Sequence, residues 1–276
     1  MPKISVIIPA FNAKETLRRC LESVASQDFA SLEIIVVNDG STDETLEIAR
    51  EYEKSTNFVL IDQAHGGVSR ARWTGIGSSR GKYLAFVDAD DFIAKDMMSK
   101  MYGTAEETGA EVVACGWYRV REGKAFPLQM YQDIVPECGV DAVTRTVIRE
   151  SWGSLCNKLI LRDLIHEEDF TQAENLGYYE DTILLVYAMS RAQKVSYLPE
   201  CFYYYVDSEK SATNKPSLKT LKDLSFAITL LFNFFMASNI VEWSRFAPGF
   251  FSSRLAIALR LLNRLPASAE SAALKK

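Results

Sequence analysis

Histidine and cysteine are scarce in this chain of 276 residues, and neither clusters. The two histidines, His65 and His166, lie far apart without ligand spacing, so each is expected to be a polar loop residue. The five cysteines (Cys20, Cys115, Cys138, Cys156 and Cys201) are odd in number, scattered, and form no C-x-x-C pair. Neither a zinc site nor a disulfide framework is indicated. No G-x-G-x-x-G fingerprint follows the first apolar run, which disfavours a dinucleotide-dependent dehydrogenase. No charged-then-apolar leader opens the sequence, and a reducing, cytoplasmic setting is expected. The strongly apolar stretch 224–237 contains Asn233 and falls short of the roughly 20 residues that span a bilayer.

What is present suits a soluble globular protein of one large or two small domains: 48% of residues are hydrophobic and 24% charged. A net charge of −5 speaks against a nucleic-acid partner, because such proteins carry basic surfaces to neutralise phosphates. The sum hides an asymmetry. From Lys215 onward the net charge is +6, and the preceding body carries −11, so two different surfaces are expected.

The first third alternates strands and helices. Residues 4–8 form a β-branched run bounded by Pro9, and 13–27 place Leu17, Cys20, Leu21 and Val24 at helical spacing. A buried strand at 33–37 ends in Asn38-Asp39-Gly40. Ser41 or Thr42 can cap a helix through residue 52, with Asp43 and Glu44 in its first turn. A strand at 58–62, a helix at 68–79 and a strand at 83–87 follow, the last running straight into Asp88. This alternation predicts an α/β fold whose mostly parallel sheet has helices on both faces. Ligands of such sheets bind beyond the carboxyl ends of the strands. Asn12, Asp39, His65-Gly66-Gly67 and Asp88-Ala89-Asp90-Asp91 all fall there. Farther on, helices are expected at 97–109, 139–150 and 182–192, and strands at 111–121 and 201–206. Between them lie an apolar segment at 155–161 and an acidic stretch at 167–181. A polar break at 207–217 reads as a linker or loop, and the remainder from Leu218 is helical in pattern.

Three carboxylates at the end of a buried strand repel one another unless something neutralises them. Asp-x-Asp spacing projects Asp88 and Asp90 to one side, where they could share Mg²⁺ or Mn²⁺, with water and substrate phosphates completing the shell. The competing reading is that Asp90 or Asp91 caps the helix that starts near Asp96.

Four blocks carry a resemblance: Ile4-Ser5-Val6-Ile7-Ile8-Pro9-Ala10-Phe11-Asn12, Asn38-Asp39-Gly40-Ser41-Thr42-Asp43, Gly66-Gly67-Val68-Ser69-Arg70-Ala71-Arg72, and Phe86-Val87-Asp88-Ala89-Asp90-Asp91. In this order and spacing the chain resembles the family 2 glycosyltransferases of the GT-A (Rossmann-like) fold, with looser similarity to about residue 210. The resemblance implies an inverting, nucleotide-sugar-dependent enzyme. Its catalytic domain would span 1–210, with a nucleotide-sugar-binding half at 1–100 and an acceptor-binding half at 101–210. A C-terminal helical region would occupy 215–276. Pro9, Ala10, Phe11, Asn12 and Asp39 match the base and ribose pocket, and Gly67, Arg72 and Ala89 the rest of the nucleotide-sugar site. Arg72 lies near the diphosphate, Asp88 meets the ribose and approaches the metal, and Asp90 is the metal ligand, with Mn²⁺ or Mg²⁺ as cofactor. Plainer roles stay open: core packing for Phe11, a surface ion pair for Arg72, an Asx-turn or cap for Asp39.

Glu180-Asp181, ahead of an apolar helix, resembles the Glu-Asp pair whose aspartate is the general base of inverting members. Such a base removes the proton of the acceptor hydroxyl as it attacks the anomeric carbon. Asp181 could also cap its helix at the same time, and Glu180 could orient the acceptor or pair with a basic residue. Lys158, in a segment from Trp152 that resembles the acceptor side, could instead be a structural partner for a carboxylate. Trp73 stands where the family usually has asparagine and could pack against the sheet. After Tyr203-Tyr204-Tyr205 many relatives carry an arginine before a serine. Here Val206-Asp207-Ser208-Glu209-Lys210-Ser211 leaves Lys210 as the candidate replacement.

Residues 250–265 place Phe251, Leu255, Leu259 and Leu262 on one helical face, opposite Arg260 and Arg264. A basic amphipathic helix can lie on an anionic membrane, or pack on the catalytic domain or a second subunit. The expected partners are a nucleoside-diphosphate sugar, UDP-linked, and a saccharide or lipid-linked saccharide acceptor. Peripheral membrane contact at the inner face of the cell membrane, or a homodimer through the C-terminal helices, is the remaining pair of alternatives. The rival functions are a catalytically silent sugar-nucleotide or glycan-binding module and a nucleotidyltransferase. The first would not need Asp181, and the second would typically show a Gly-rich phosphate loop where Pro9-Ala10-Phe11-Asn12 stands.

Overall fold

A computed structural model describes residues 1–54, 57–129, 136–147, 153–207, 216–238 and 243–264. Trp152, Lys210 with the rest of 208–215, and the tail from 265 lie outside the described residues.

The first third builds β1 (Ile4–Ala10), α1 (Leu17–Ala25), β2 (Leu32–Asp39), α2 (Thr45–Arg50), β3 (Phe58–Gln63), α3 (Val68–Ser78) and β4 (Tyr83–Phe86). There follow β5 (Phe92–Ile93), α4 (Met97–Thr108), β6 (Val112–Arg121), β7 (Lys124–Gln129), α5 (Gly139–Val147) and β8 (Lys158–Leu161). The described chain closes with α6 (Glu167–Ala173), α7 (Glu180–Arg191), β9 (Val195–Val206), α8 (Leu218–Ser238) and α9 (Trp243–Leu262).

Among the described residues one sheet of nine strands runs in the order β3-β2-β1-β4-β8-β6-β9-β5, with β7 on β6. The half made by β3, β2, β1 and β4 is wholly parallel. Beyond it β8 is antiparallel to both β4 and β6, β6 and β9 pair in parallel, and β5 returns antiparallel to β9. The expected parallel sheet thus holds for the first half, and the second is mixed.

Side chains on a strand alternate between faces, and that alternation sorts this core into two layers. Ile4, Val6 and Ile8 of β1 and Tyr83 and Ala85 of β4 meet Leu21 and Val24 of α1 and Met97 and Met101 of α4. On the other face Ile7, Leu84 and Phe86 pack with α5 and α7, and also with Leu231 and Phe235 of α8 and Phe250 of α9. The C-terminal helices therefore share the second core layer.

Several expectations are corrected here. The segment 224–237 belongs to a 21-residue helix that starts at Leu218, long and apolar enough by length and composition to cross a membrane, though 33% of its most apolar window is buried inside the protein. The first helix starts only at Leu17, and the second only at Thr45: Ser41 and Thr42 bind Asn12 of the loop after β1, while Asp43 accepts from the amide and hydroxyl of Thr45. Part of the acidic stretch forms α6, and α7 begins at Glu180. The last strand starts at Val195, and β5 and β7 were not expected.

Candidate active site

The ends of β1, β2 and β3 bring the first cluster together. Pro9 and Ala10 are buried in the sheet, while Phe11 beyond them is 46% exposed and stacks on His65 at 4.2 Å between ring centroids. Core packing does not describe Phe11, and His65 is a loop residue, as expected, that also approaches Asp39. Asn12 takes a left-handed backbone (φ 47°). Its Oδ1 accepts from the Thr42 amide at 2.8 Å and its own amide donates to Ser41 Oγ at 3.0 Å, tying the loops after β1 and β2.

Asp39 is nearly fully buried, and its carboxylate is occupied by the protein itself. Oδ1 accepts from Gln63 Nε2 (2.7 Å) and the Gly66 amide (2.9 Å), and Oδ2 from the Gly67 amide (2.8 Å). His65 Nδ1 lies 2.8 Å from Oδ2. Gly67, at φ 88°, opens α3 without a side-chain cap, so Asp39 supplies the negative charge that a helix N-terminus favours. It holds the two amides that lead into α3 from a strand end distant in sequence.

The acidic turn after β4 divides its carboxylates. Asp88 Oδ1 accepts from Arg72 at 2.8 Å, and Oδ2 from the Cys156 thiol at 3.3 Å. Asp91 is buried: Oδ2 accepts from Tyr203 Oη at 2.6 Å and Oδ1 from the Val206 amide at 2.8 Å. Burial, with Asp90 and Asp88 nearby, pushes its carboxyl well above the usual range. Asp90 accepts no side-chain hydrogen bond from another residue among those described, and burial and Asp88 raise it from 3.8 to about 6. Helix α4 starts from Asp96 without a side-chain cap, so neither Asp90 nor Asp91 caps it.

Arg72, on α3 and only 4% exposed, reaches both Asp88 and Glu180. Burial opposes its charge, but those two carboxylates outweigh it and hold its pKa well above normal. It forms a buried ion-pair bridge, not a surface pair, and Glu180 is its acidic partner. Glu180 is raised to about 7 by burial, against the pull of Arg72.

Asp181 is the second residue of α7, whose N-cap is Tyr179 in a left-handed conformation (φ 74°), so Asp181 is not itself the N-cap. Its Oδ1 accepts from the Thr182 amide at 2.7 Å. Burial raises its pKa, Arg72 opposes, and Asp88 adds to the rise. Lys158 is fully buried, lowered to about 7 by burial, and donates to Ser154 O at 3.1 Å and to Asn157 Oδ1. Trp73 stacks on Phe170 at 5.1 Å and packs against the second core layer.

Arg72, Asp88, Glu180 and Asp181 line one open cavity of about 690 Å³. Phe11, Asn12, Asp39, Gly67, Ala89 and Asp90 do not line it and sit at the neighbouring strand ends. No three His, Cys, Asp or Glu side chains converge as a complete metal cage among the described residues. The sequence reading missed Tyr203 and Cys156, whose partners are distant in sequence, and Arg260 and Arg264, which line the cavity.

A profile for Glycosyl transferase family 2 matches residues 5–166. The chain belongs to that family. This family 2 chain is 32% identical over 222 residues to the uncharacterized glycosyltransferase EpsJ of Bacillus subtilis (strain 168), covering 78% of this chain and 64% of that protein. It is 29% identical over 209 residues to the poly(ribitol-phosphate) beta-N-acetylglucosaminyltransferase TarS of Staphylococcus aureus (strain MW2), covering 74% of this chain and 35% of that protein. S. aureus TarS 1-349 in complex with UDP has the same fold, with a TM-score of 0.67 at 24% identity over 82% of this chain and 64% of that one. The chain therefore spans less than two thirds of the length of these relatives.

Proposed function

We propose that this chain is an inverting glycosyltransferase. It would move a hexosyl or N-acetylhexosaminyl group from a UDP-linked sugar to a hydroxyl of a glycan or lipid-linked saccharide acceptor, in surface polysaccharide or glycolipid synthesis. One observation carries the reading: the carboxylates of Asp88 and Asp181, one at the end of β4 and one at the start of α7, share a single cavity.

Asp181 takes the proton from the acceptor hydroxyl while that oxygen attacks the anomeric carbon and the bond to the diphosphate breaks. A carboxylate whose pKa is raised by burial is a stronger base than one in water, and the nearby Arg72 keeps it ionisable. Asp88 meets the ribose, and Glu180 holds Arg72 against it. Phe11 and Asn12 border the nucleotide at the ends of β1 and β2. Because Gln63, Gly66, Gly67 and His65 already occupy the Asp39 carboxylate, Asp39 shapes this pocket by fixing the Gly66-Gly67 loop.

Asp90, with Asp88, fits a divalent cation of the Mn²⁺ or Mg²⁺ kind. Its carboxylate is otherwise unbonded by other residues, and such ions need only one or two protein carboxylates beside phosphates. When bound, the ion neutralises charge on the departing diphosphate.

In this reading residues 1–100 serve the donor and 101–210 the acceptor, and α8 and α9 are the described part of the C-terminal region 215–276. Phe251, Leu255, Leu259 and Leu262 of α9, each between 44% and 61% exposed, form a stripe suited to a membrane surface or a second copy. The test is Asp181→Asn, expected to bind UDP-sugar as the native chain does yet transfer none to acceptor. Full residual transfer would remove Asp181 as the base. Native chain that binds UDP-sugar but transfers to no acceptor would mark a silent binding module.

A further inference from the structure

The same cavity has a second wall that the reaction outlined above does not use. Arg260, on the last turn of α9, and Arg264, two residues past its end, line it together with Arg119 of β6. Arg119 binds Asp207 at 2.7 Å, but that carboxylate is shared with Arg121 at 3.0 Å, so the pair of arginines is only half neutralised. Arg260 is exposed and has no ion-pair partner among the described residues. Arg260 thus brings an open positive charge to a cavity that Asp88, Glu180 and Asp181 also line, around Arg72.

Its position decides what it can serve. Ile257 and Leu261 of α9 pack with Tyr178 and Tyr179, the residues that lead directly into Glu180 and Asp181. The arginines therefore stand on the side of the proposed base, where the acceptor enters, and not on the β4 side of the donor diphosphate. A neutral sugar does not require guanidinium groups there, because neutral hydrogen-bonding groups can meet its hydroxyls and aromatic rings its C–H faces. Guanidinium forks match phosphate oxygens in geometry and charge.

We infer that Arg260 and Arg264 form an anion subsite for an acceptor that carries phosphate beside the hydroxyl to be glycosylated. The inference rests on the glycosyltransferase reading and narrows its acceptor class. Two sources share this chemistry, a polyol-phosphate polymer and a lipid-linked diphosphate saccharide, and the cleft recognises what they have in common.

The experiment is calorimetric titration of the full chain and of the Arg260→Gln, Arg264→Gln double variant. The probes are a glycerol phosphate hexamer, a dodecyl diphosphate-linked monosaccharide, and the uncharged counterpart of each. At least one phosphate probe should bind more tightly than its neutral counterpart, weaken with added salt, and lose about tenfold or more in affinity in the variant. Which of the two does so identifies the source. A separate UDP titration with Mn²⁺ should give equal affinities for both proteins. Phosphate probes binding no better than neutral ones, or equally well to the variant, overturn the subsite. A variant whose loss falls on UDP instead assigns these arginines to the donor and overturns it too. Failure of the native chain to bind UDP would sink the donor reading, and the probe titrations stay distinct from that result.

Discussion

Tyr203 donates its phenolic hydroxyl to Asp91 at 2.6 Å across 112 residues of sequence. The same oxygen accepts the Asp88 amide at 3.2 Å, so one side chain fastens both ends of the acidic turn to β9. Tyr203→Phe removes both bonds and leaves Asp91 with the Val206 amide alone. A loss of about 1–3 kcal/mol of stability is expected, since a buried acceptor is left short of a donor. Urea unfolding measures it, and an unchanged midpoint would show that the turn is held by other means.

Asp90 offers a pH test with a definite sign. Its folded pKa lies near 6 against an ordinary 3.8, raised by burial and then by Asp88. The folded chain therefore holds a proton that the unfolded chain has released. This group's contribution is most favourable below the unfolded value and declines as pH rises through about 4 to 6. The native chain should lose thermal stability over that window relative to Asp90→Asn. Mn²⁺ should restore it above about pH 6 in the native chain only. A difference between the two melting curves that does not vary with pH would contradict this.

Arg72 links two carboxylates in a nearly dry setting. Arg72→Met abandons both, and the expected cost is about 3–5 kcal/mol, the range for breaking a buried pair by removing one partner. Arg72→Lys should rescue only part of this, because a single ammonium cannot reproduce the guanidinium fork. Equilibrium denaturation of the two variants checks the order.

Gly40 has φ 68°, and a Cβ added there would lie 2.6 Å from the His65 backbone nitrogen. That strand end leads into the Gly66 and Gly67 amides that hold Asp39. Gly40→Ala should therefore cost about 1–3 kcal/mol and weaken UDP binding together. Thermal melts with and without UDP separate the two effects, and unaltered binding would detach this loop from the nucleotide pocket.

The parallel half of the sheet was legible because its strands are continuous apolar runs and its polar residues gather at their ends. What escaped reading depends on partners far along the chain. Strand β5 has two residues and exists because it pairs with Tyr203 and Tyr204, with Phe92 stacked on Tyr204 at 4.5 Å. Asp91 looked like a helix cap because caps are local, and Tyr203 is not. The family resemblance singled out Arg72 and Glu180 separately but could not join residues 108 positions apart. A helical wheel set Arg260 and Arg264 opposite the apolar stripe, yet only the docking of α9 against Tyr178 and Tyr179 turns them toward the cavity.

That docking has a further consequence. Asp223 of α8 accepts the Gly177 amide at 3.0 Å, and Arg254 of α9 lies over the Tyr179 ring at 5.8 Å. The loop delivering Asp181 is thus clamped by the part of the chain that lies beyond the matched family segment. These helices therefore cannot be exchanged between relatives as a detachable module. Any such graft must also carry the facing residues of α7 and its approach loop, or Asp181, the proposed base, will lose its footing.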